Sequence, residues 1–270
     1  MADIASLLAA YDDQLRAAEI RNLPPGARVE RDGPIYRVAG LAQRGFISGP
    51  RDLGLCGRAL DAMIARQRSF FAARGEAVEW KTRAHDLPGD IPQRLLSAGF
   101  VAEERETVLI GVASELPVLD APAPDGITLR EVHTDADLHR LAELSSEIWQ
   151  EDRSWLAPAL IDQLHSDPAR TVVVVAEAAG RMVSAARLEI EPETEFAGLW
   201  GGSTLPAWRR RGIYRALVAH RARIATTRGI RYLHVDATED SRPILQRWGF
   251  TAITTTTPYV WIPKAPRTAG

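Results

Sequence analysis

The segment from Pro206 to Ala216 is the most chemically informative part of the sequence. It reads PAWRRRGIYRA, so that a triple arginine and Gly212 stand between a run of small apolar residues and a helical pattern. The first N–H groups of a helix have no acceptor within the helix, and the helix dipole makes them attractive to an anion. Gly212 lets a ligand approach the backbone, and the arginines add positive charge. The segment is therefore predicted to bind phosphate, with a solvated basic turn as the alternative.

The residues on either side predict the elements that hold this turn. The run from Phe196 to Leu205 precedes it as a strand, and its paired glycines, Gly201 and Gly202, indicate a bulge or the close approach of another backbone. A helical pattern begins at Ile213, and Gly229 is placed to end that helix. The turn is thus predicted to join a strand to a helix.

This arrangement resembles the pyrophosphate loop of the GNAT acetyltransferase superfamily, whose pattern is Arg or Gln, two residues, Gly, one residue, then Gly or Ala. Arg209 and Gly212 fit the pattern, while Tyr214 stands where the second small residue is usual. A strand from Tyr232 to Asp236, a short helix and the closing pair Gly249-Phe250 follow in the order that the family shows. The resemblance covers the second half of the chain.

The resemblance implies an N-acyltransferase that moves an acetyl group from acetyl-CoA to a primary amine and releases coenzyme A. The acceptor would be a small-molecule amine or an amine of a protein. Backbone N–H groups of the turn would bind the pyrophosphate, and the end of the preceding strand would pair with the pantetheine arm. The implied cofactor-binding residues are Gly202, Ser203, Thr204, Arg209, Arg210, Arg211, Gly212, Ile213, Tyr214 and Arg215.

The catalytic acid and base are where the sequence departs from the family pattern. Many members have a general-acid tyrosine five residues before the Phe of the Gly-Phe pair, where this chain has Leu245. The remaining candidates for catalysis are Glu189, His234, Asp236 and Tyr259. A thiolate can depart unaided near neutral pH, so the missing tyrosine does not exclude catalysis. The alternative is a non-catalytic acyl-CoA-binding or regulatory protein.

The two halves of the sequence carry versions of one pattern, which indicates a duplication. Each half has a strand, an aspartate, a short helix and a Gly-Phe pair, and alignment on these pairs places Asp86 opposite Asp236. The first half lacks the arginine-rich turn, so we expect a degenerate, tandem copy that does not bind the cofactor. The predicted domains are residues 1–115 and 126–270, joined by a proline-rich linker at 116–125.

The predicted fold class is mixed α/β, with two GNAT-like domains that are each a mixed, mostly antiparallel twisted sheet flanked by helices. In the first half we predict helices at 4–18, 55–73 and 91–97 and strands at 27–30, 34–39 and 77–82. In the second half we predict helices at 135–149 and 157–166, a hairpin of strands 171–177 and 182–190, and final strands at 251–254 and 258–262.

Composition narrows the class of protein. A net charge of −2 argues against a nucleic-acid partner, whose binding surface would carry a basic excess. The single cysteine, Cys56, excludes an internal disulfide and fits a reducing compartment. The first residues do not read as a signal peptide, and no apolar run reaches the ~18 residues of a membrane span. We expect a cytoplasmic monomer or homodimer without a membrane partner or a metal site.

Overall fold

The computed structural model describes residues 3–21, 23, 26–41 and 43–263. These residues form two compact units. Unit 1 takes its residues from 1–108, 236–240 and 252–270, and unit 2 consists of 109–235 and 241–251. The boundaries of the two units differ from the predicted domain boundaries at 115 and 125. The reason is that β12, the last described strand, pairs within unit 1. The division of the sequence into 1–115, 116–125 and 126–270 stays a prediction about its two halves.

The elements follow one another along the chain as alternating groups of strands and helices. The helices are α1 (Ile4–Ala10), α2 (Gly57–Arg74), α3 (Ile91–Ser97), α4 (Asp135–Trp149), α5 (Leu156–Ser166), α6 (Ile213–Thr227) and α7 (Arg242–Arg247). The strands are β1 (Arg28–Asp32), β2 (Ile35–Ala39), β3 (Gly45–Ser48), β4 (Val78–Arg83), β5 (Val101–Ala102), β6 (Glu106–Val112), β7 (Ile127–Val132), β8 (Thr171–Ala178), β9 (Arg181–Ile190), β10 (Phe196–Thr204), β11 (Tyr232–Ala237) and β12 (Thr251–Trp261). The predicted mixed α/β class is confirmed.

Unit 2 is built on a mixed sheet whose strand order is β11-β10-β9-β8-β7. The pairs from β7 to β10 are antiparallel, while β10 and β11 are parallel. The valine run of β8 is almost continuously buried, as expected for a strand covered on both faces. Helix α6 packs on β9 and β10 and buries Ile213, Leu217 and Ala222.

Unit 1 has the strand order β1-β2-β3-β4-β12, with the short β5 also paired to β12. Strands β3 and β4 are parallel, and the other pairs are antiparallel. The core of unit 1 is formed by apolar side chains of α2, α3 and the strands, including Ile35, Leu60, Met63, Ile64, Phe71, Val78, Trp80, Ile91, Leu95, Phe100 and Tyr259.

In the described part of the chain, each unit contains a parallel strand pair with a short ladder. In unit 2 the last pair of the ladder between β10 and β11 is Gly198↔His234. In unit 1 the last pair between β3 and β4 is Ile47↔Trp80. Both ladders contain three residue pairs, and the alignment of Asp86 with Asp236 on the Gly-Phe pairs stays a prediction.

Most predicted elements of the second half are confirmed, including the helix over 135–149 and the hairpin of β8 and β9. The prediction of two final strands is wrong, because Thr256 and Thr257 continue the ladder with β4 and join them into β12. The predicted helix over 4–18 consists of α1 and a π-helix, Tyr11–Arg16. Strand β3 was not predicted, since its short sequence, GFIS, is too brief to show a period.

The proline-rich segment 116–125 packs as part of unit 2 instead of lying exposed as a linker would. Leu116 and Val118 are 3% and 1% exposed, and Ala121 is also buried. Its apolar residues therefore contribute to a core, which composition alone does not reveal. None of the helices in the described part of the chain is long and apolar enough to cross a lipid bilayer.

Arg130 ties the edge strand of unit 2 to its first helix. Its guanidinium donates to both carboxylate oxygens of Asp137 at 2.8 Å and also to Glu177. The hydrogen bonds from Arg130 lower the pKa of Asp137 to about 2 and also lower the pKa of Glu177. The pair of carboxylates thus stabilises the fold only while it is ionised.

A carboxylate whose pKa is lowered by folding stabilises the protein above its unfolded pKa and loses this contribution as the pH falls. We therefore expect Arg130→Gln to lower stability at neutral pH and to flatten the decline in stability between about pH 5 and pH 2. Urea unfolding midpoints across this range measure the effect. Arg181→Gln is the control, because its pair with Glu147 is largely exposed and should leave the profile unchanged. If the stability of wild type and that of Arg130→Gln declined in parallel as the pH falls, the effect assigned to Arg130 on the two carboxylates would be contradicted.

Candidate active site

The predicted phosphate-binding turn joins the end of β10 to the start of α6. After Thr204 the chain makes a 3₁₀ turn, Pro206–Trp208, and then passes through the arginines to Gly212. Gly212 has a φ of +83°, a left-handed conformation that favours glycine, and it directly precedes the first residue of the helix. Arg209 to Gly212 are exposed. The N-terminal N–H groups of α6 are therefore presented beside an exposed turn that carries three arginines.

The three arginines of the turn have different surroundings. Arg209 donates from Nε to the Thr204 carbonyl at 3.0 Å, which ties the turn to the end of β10. The Arg211 guanidinium lies 4.7 Å from the centre of the Trp208 ring. Arg210 has a φ of +64°. All three arginines are exposed on the turn, where positive charge would attract an anion.

The glycine pair of β10 forms the predicted bulge. The register with β9 shifts between Trp200, which lies opposite Arg187, and Ser203, which lies opposite Ala185. Gly201 adopts a φ of +60°, and Nη1 of Arg187 lies 3.1 Å from the position that a Cβ of Gly201 would take. The bulge prediction is thus confirmed, and Arg187 covers it on one face of the sheet.

Tyr214 covers the other face of the bulge. Its Cε2 lies 3.0 Å from the position that a Cβ of Gly202 would take, and its ring centre lies 5.6 Å from that of Trp248. This contact explains the departure from the family pattern. The glycine in the strand makes room for a large side chain on the helix, at the position where a small helix residue is usual.

A buried arginine lies under the same face. Arg221 follows Tyr214 by two helical turns and is 1% exposed. It donates from Nε to the Leu217 carbonyl at 3.1 Å and from Nη1 to the Arg187 carbonyl at 2.8 Å. Burial lowers the pKa of Arg221 to about 10, so the guanidinium remains charged at neutral pH.

The structure brings two of the predicted catalytic residues into one row across unit 2. Glu189 of β9 and His234 of β11 both pair with Gly198 of β10, so their side chains share one face of the sheet. The His234 ring packs edge-on against Trp200, with ring centres 5.6 Å apart. Glu189 accepts a hydrogen bond from Nε of Arg187 at 3.0 Å.

The other two predicted catalytic residues belong to unit 1. Asp236 accepts a hydrogen bond from Nζ of Lys81 at 2.9 Å. Burial acts to lower the pKa of Lys81, but the carboxylates of Asp236, Glu79 and Glu106 outweigh it and raise the pKa. Tyr259 is buried in the core of unit 1. Within unit 1, Asp236 is thus the partner of a buried lysine and Tyr259 is a core side chain.

Sequence reasoning missed Arg187, Gly198 and Arg221. The first two become visible only through the register of β9, β10 and β11. Arg221 did leave a local signal, because it occupies the helical spacing of Leu217 and Ile224, where an apolar residue is expected. The position of the usual tyrosine, Leu245, is fully buried and carries no proton donor. No cluster of metal-ligating side chains occurs among the described residues.

In comparisons with known proteins, the part of the chain that matches a protein family lies almost entirely in unit 2. Residues 136–250 match the family model described as Acetyltransferase (GNAT) family. No curated protein matches the sequence. The match runs from α4 to just beyond α7 and includes the turn and the bulge described above.

Solved structures share the fold of the whole chain. A GCN5-related N-acetyltransferase from Kribbella flavida is 18% identical with a TM-score of 0.72, covering 93% of this chain and 95% of that one. Another from Sphaerobacter thermophilus is 16% identical with a TM-score of 0.65, covering 96% and 91%. A tandem GNAT protein from the clavulanic acid biosynthesis pathway is 13% identical with a TM-score of 0.66, covering 92% and 87%. At these identities the likeness concerns the fold.

Gly198 lies where the Trp200 and His234 rings leave no room for a side chain. A Cβ at this position would overlap the Trp200 indole and lie 3.0 Å from Nε2 of His234. We expect Gly198→Ala to destabilise the protein by about 1–3 kcal/mol through overpacking, measured by urea unfolding. Gly89→Ala is the control, because no atom lies within 4 Å of the position of its Cβ. Equal stability of Gly198→Ala and Gly89→Ala would show that Gly198, Trp200 and His234 are loosely packed.

Proposed function

We propose that this chain, whose residues 136–250 form a domain of the acetyltransferase (GNAT) family, transfers an acetyl group from acetyl-CoA to a primary amine. The observation that supports the proposal is the junction of β10 and α6. It combines a bulged strand end, a left-handed Gly212 and the open N-terminus of a long helix. This combination suits a ligand that carries a pyrophosphate on an extended arm.

The residues present fit such a ligand. The N–H groups at the start of α6 and the three arginines of the turn would hold the pyrophosphate. The exposed Gly201 and Gly202 of the bulge would present backbone groups to the pantetheine arm, while the carbonyls of the half-buried Ser203 and Thr204 accept hydrogen bonds from Ser184 and Arg209. The hydroxyl of Ser184 donates to the Ser203 carbonyl at 2.6 Å and so fixes the strand end beyond the bulge. When bound, acetyl-CoA supplies an already activated thioester.

Because the thioester is already activated, the residues of the chain need to supply only positioning, polarisation and proton transfer. They hold the amine in line with the thioester carbonyl, polarise that carbonyl and accept a proton from the ammonium group. Within unit 2 we propose that Glu189 or His234 accepts the proton, directly or through water, because both share one face beside the bulge. Arg187 holds the Glu189 carboxylate in place.

The acceptor is proposed to be a small-molecule amine or an amine of a protein. The connection from α4 to α5 carries two exposed tryptophans, Trp149 and Trp155, which are 54% and 48% exposed. Neighbouring acidic residues are already paired, Glu147 with Arg181 and Glu151 with Arg153. Aromatic surface, more than free negative charge, is therefore what this connection offers an acceptor.

We also propose that unit 1 is a degenerate copy that does not bind acetyl-CoA. At the point where β3 and β4 diverge, the side chain of Arg16 occupies the space. It donates from Nε to the Gly49 carbonyl at 2.7 Å and forms an ion pair with Asp86 at 2.6 Å. The carbonyl directly after β3 is thus bonded to a buried side chain of unit 1, and this unit has no counterpart of the arginine-rich turn.

Binding of acetyl-CoA tests the turn directly. We expect wild type to bind one equivalent per chain in isothermal titration and Gly212→Glu to bind none, since the added carboxylate repels the pyrophosphate. Gly229→Glu is a matched control, because Gly229 follows the other end of the same helix, is also left-handed and has open space. Unchanged affinity of Gly212→Glu for acetyl-CoA would refute the proposal that the turn binds the pyrophosphate. Binding of two equivalents by wild type would refute the proposal that unit 1 does not bind acetyl-CoA.

The rate of acetyl transfer tests whether Glu189 or His234 is the catalytic base. Thiol release over a panel of amines should fall by about 100-fold or more in the variant that loses the base, Glu189→Gln or His234→Asn, with acetyl-CoA affinity unchanged. The loss of activity in one variant and not the other identifies the residue. Binding by wild type without thiol release on any amine would instead support the non-catalytic alternative, which the buried Leu245 favours.

A further inference from the structure

Unit 1 contains a cavity of about 190 Å³ beside the last residues of β4 and the start of α3. All the residues that line it belong to unit 1. Ala84 and Gly89, which are among them, are exposed, so the cavity opens to solvent. A cavity needs about 10–15 Å³ to hold one water, so this one accommodates a small molecule of roughly ten to fifteen non-hydrogen atoms.

A row of hydroxyl groups lines this cavity. Side chains alternate between the two faces of a strand, so Thr255, Thr257 and Tyr259 of β12 share one face, and all three line the cavity. Thr82 of β4 pairs with Thr257 and adds a fourth hydroxyl, which donates to the Thr257 carbonyl at 3.3 Å. Hydroxyl groups can both donate and accept hydrogen bonds, so the row suits a ligand that does the same.

Three of these hydroxyls lack a protein partner. The Tyr259 ring packs in the core of unit 1 and the residue is 7% exposed, yet its hydroxyl makes no hydrogen bond to any residue that the structure describes. The hydroxyls of Thr255 and Thr257 make none within the same part of the chain. A buried tyrosine hydroxyl usually has a partner, because leaving a buried polar group unpaired costs free energy. The row therefore points to a ligand that supplies hydrogen bonds.

The charged side chains at the cavity are already neutralised by other residues of unit 1. Arg83 donates to the hydroxyl of Tyr11 at 3.2 Å and forms an ion pair with Glu19. Asp86 pairs with Arg16 at 2.6 Å and accepts from the backbone N–H of Arg83 at 2.8 Å. A charged ligand would find no free counter-ion among these groups, and burying an unpaired charge is costly. A neutral ligand is therefore favoured.

The residues around the start of α3 add apolar surface. Pro88 and Pro92 line the cavity, and their pyrrolidine rings carry no hydrogen-bonding group. A sugar ring has the matching combination, with hydroxyl groups at its edge and C–H groups on its faces. The cavity thus combines the two kinds of surface that such a ring needs.

We propose that this cavity binds a neutral polyhydroxyl compound of the size of a monosaccharide. The hydroxyls of Thr255, Thr257 and Tyr259 exchange hydrogen bonds with those of the ligand, and Pro88 and Pro92 contact its C–H groups. The site lies in the unit that we propose not to bind acetyl-CoA, so it does not depend on the function proposed for unit 2.

Saturation-transfer NMR with glucose, galactose and mannose, recorded without acetyl-CoA, tests this site. We expect wild type to bind at least one of these sugars and to bind the anion glucuronate about tenfold more weakly. Tyr259→Phe removes a hydroxyl and keeps the ring, and Thr255→Val removes a hydroxyl and keeps the shape. Each variant should weaken the sugar by about three- to tenfold, the effect of one neutral hydrogen bond.

Thr256→Val is the matched control on the same strand. Thr256 faces away from the cavity, and its buried hydroxyl has no partner in the described part of the chain. This variant should bind the sugar as wild type does. Thermal unfolding of each variant without ligand identifies any that fail to fold, and the half-buried Thr255 keeps the test open if Tyr259→Phe does not fold.

Absence of binding by all three sugars would overturn the proposal. Binding that neither Tyr259→Phe nor Thr255→Val weakens would also overturn it, because the sugar would then lie elsewhere. Glucuronate that binds as tightly as the neutral sugar would overturn the preference for a neutral ligand. Since acetyl-CoA takes no part in these measurements, each of these results leaves the function proposed for unit 2 unchanged.

Discussion

The interruption of the β9–β10 ladder by Gly201 and Gly202 is the constraint on which the candidate site of unit 2 depends. A regular strand would direct its N–H and C=O groups into the ladder along its whole length. The register shift between Trp200 and Ser203 releases the backbone of Gly201 and Gly202, a few residues before the turn that starts α6. The same glycines admit Arg187 on one face and Tyr214 on the other, so that side chains with very different chemistry meet at one short piece of backbone.

Charge around the bulge is arranged unevenly. Arg187 is balanced by Glu189, whereas Arg221 is buried against carbonyl oxygens and an aromatic ring. Carbonyl groups satisfy its hydrogen bonds but supply no net negative charge, so the cost of burying it is only partly offset. A fold that keeps such a group gains a preformed preference for anions at that place, without needing a mobile side chain to supply it.

Much of this arrangement could be predicted from the sequence, because its signals are local. The turn, the bulge and the helix each follow from spacing within a few residues, as with Gly212 and the glycine pair of β10. The packing of Tyr214 on Gly202 could not be predicted, since it depends on the distance between a strand and a helix. The same holds for β12, whose pairing with β4 joins residues far apart in sequence and leaves no local trace. The Arg16–Asp86 pair in unit 1 is likewise a long-range contact.

The position of β12 in unit 1 has a consequence for how the chain is made. Strand β4 lies within the first hundred residues, whereas its partner β12 is among the last residues described and is therefore synthesised much later. Until then the edge of β4 that β12 will cover presents open backbone groups to other strands. The first unit therefore cannot close until β12 has been made, long after β4, and this closure requires the slow formation of a long-range strand pair. A fragment cut at the limits of the family match, 136–250, would contain no residue of that closing strand.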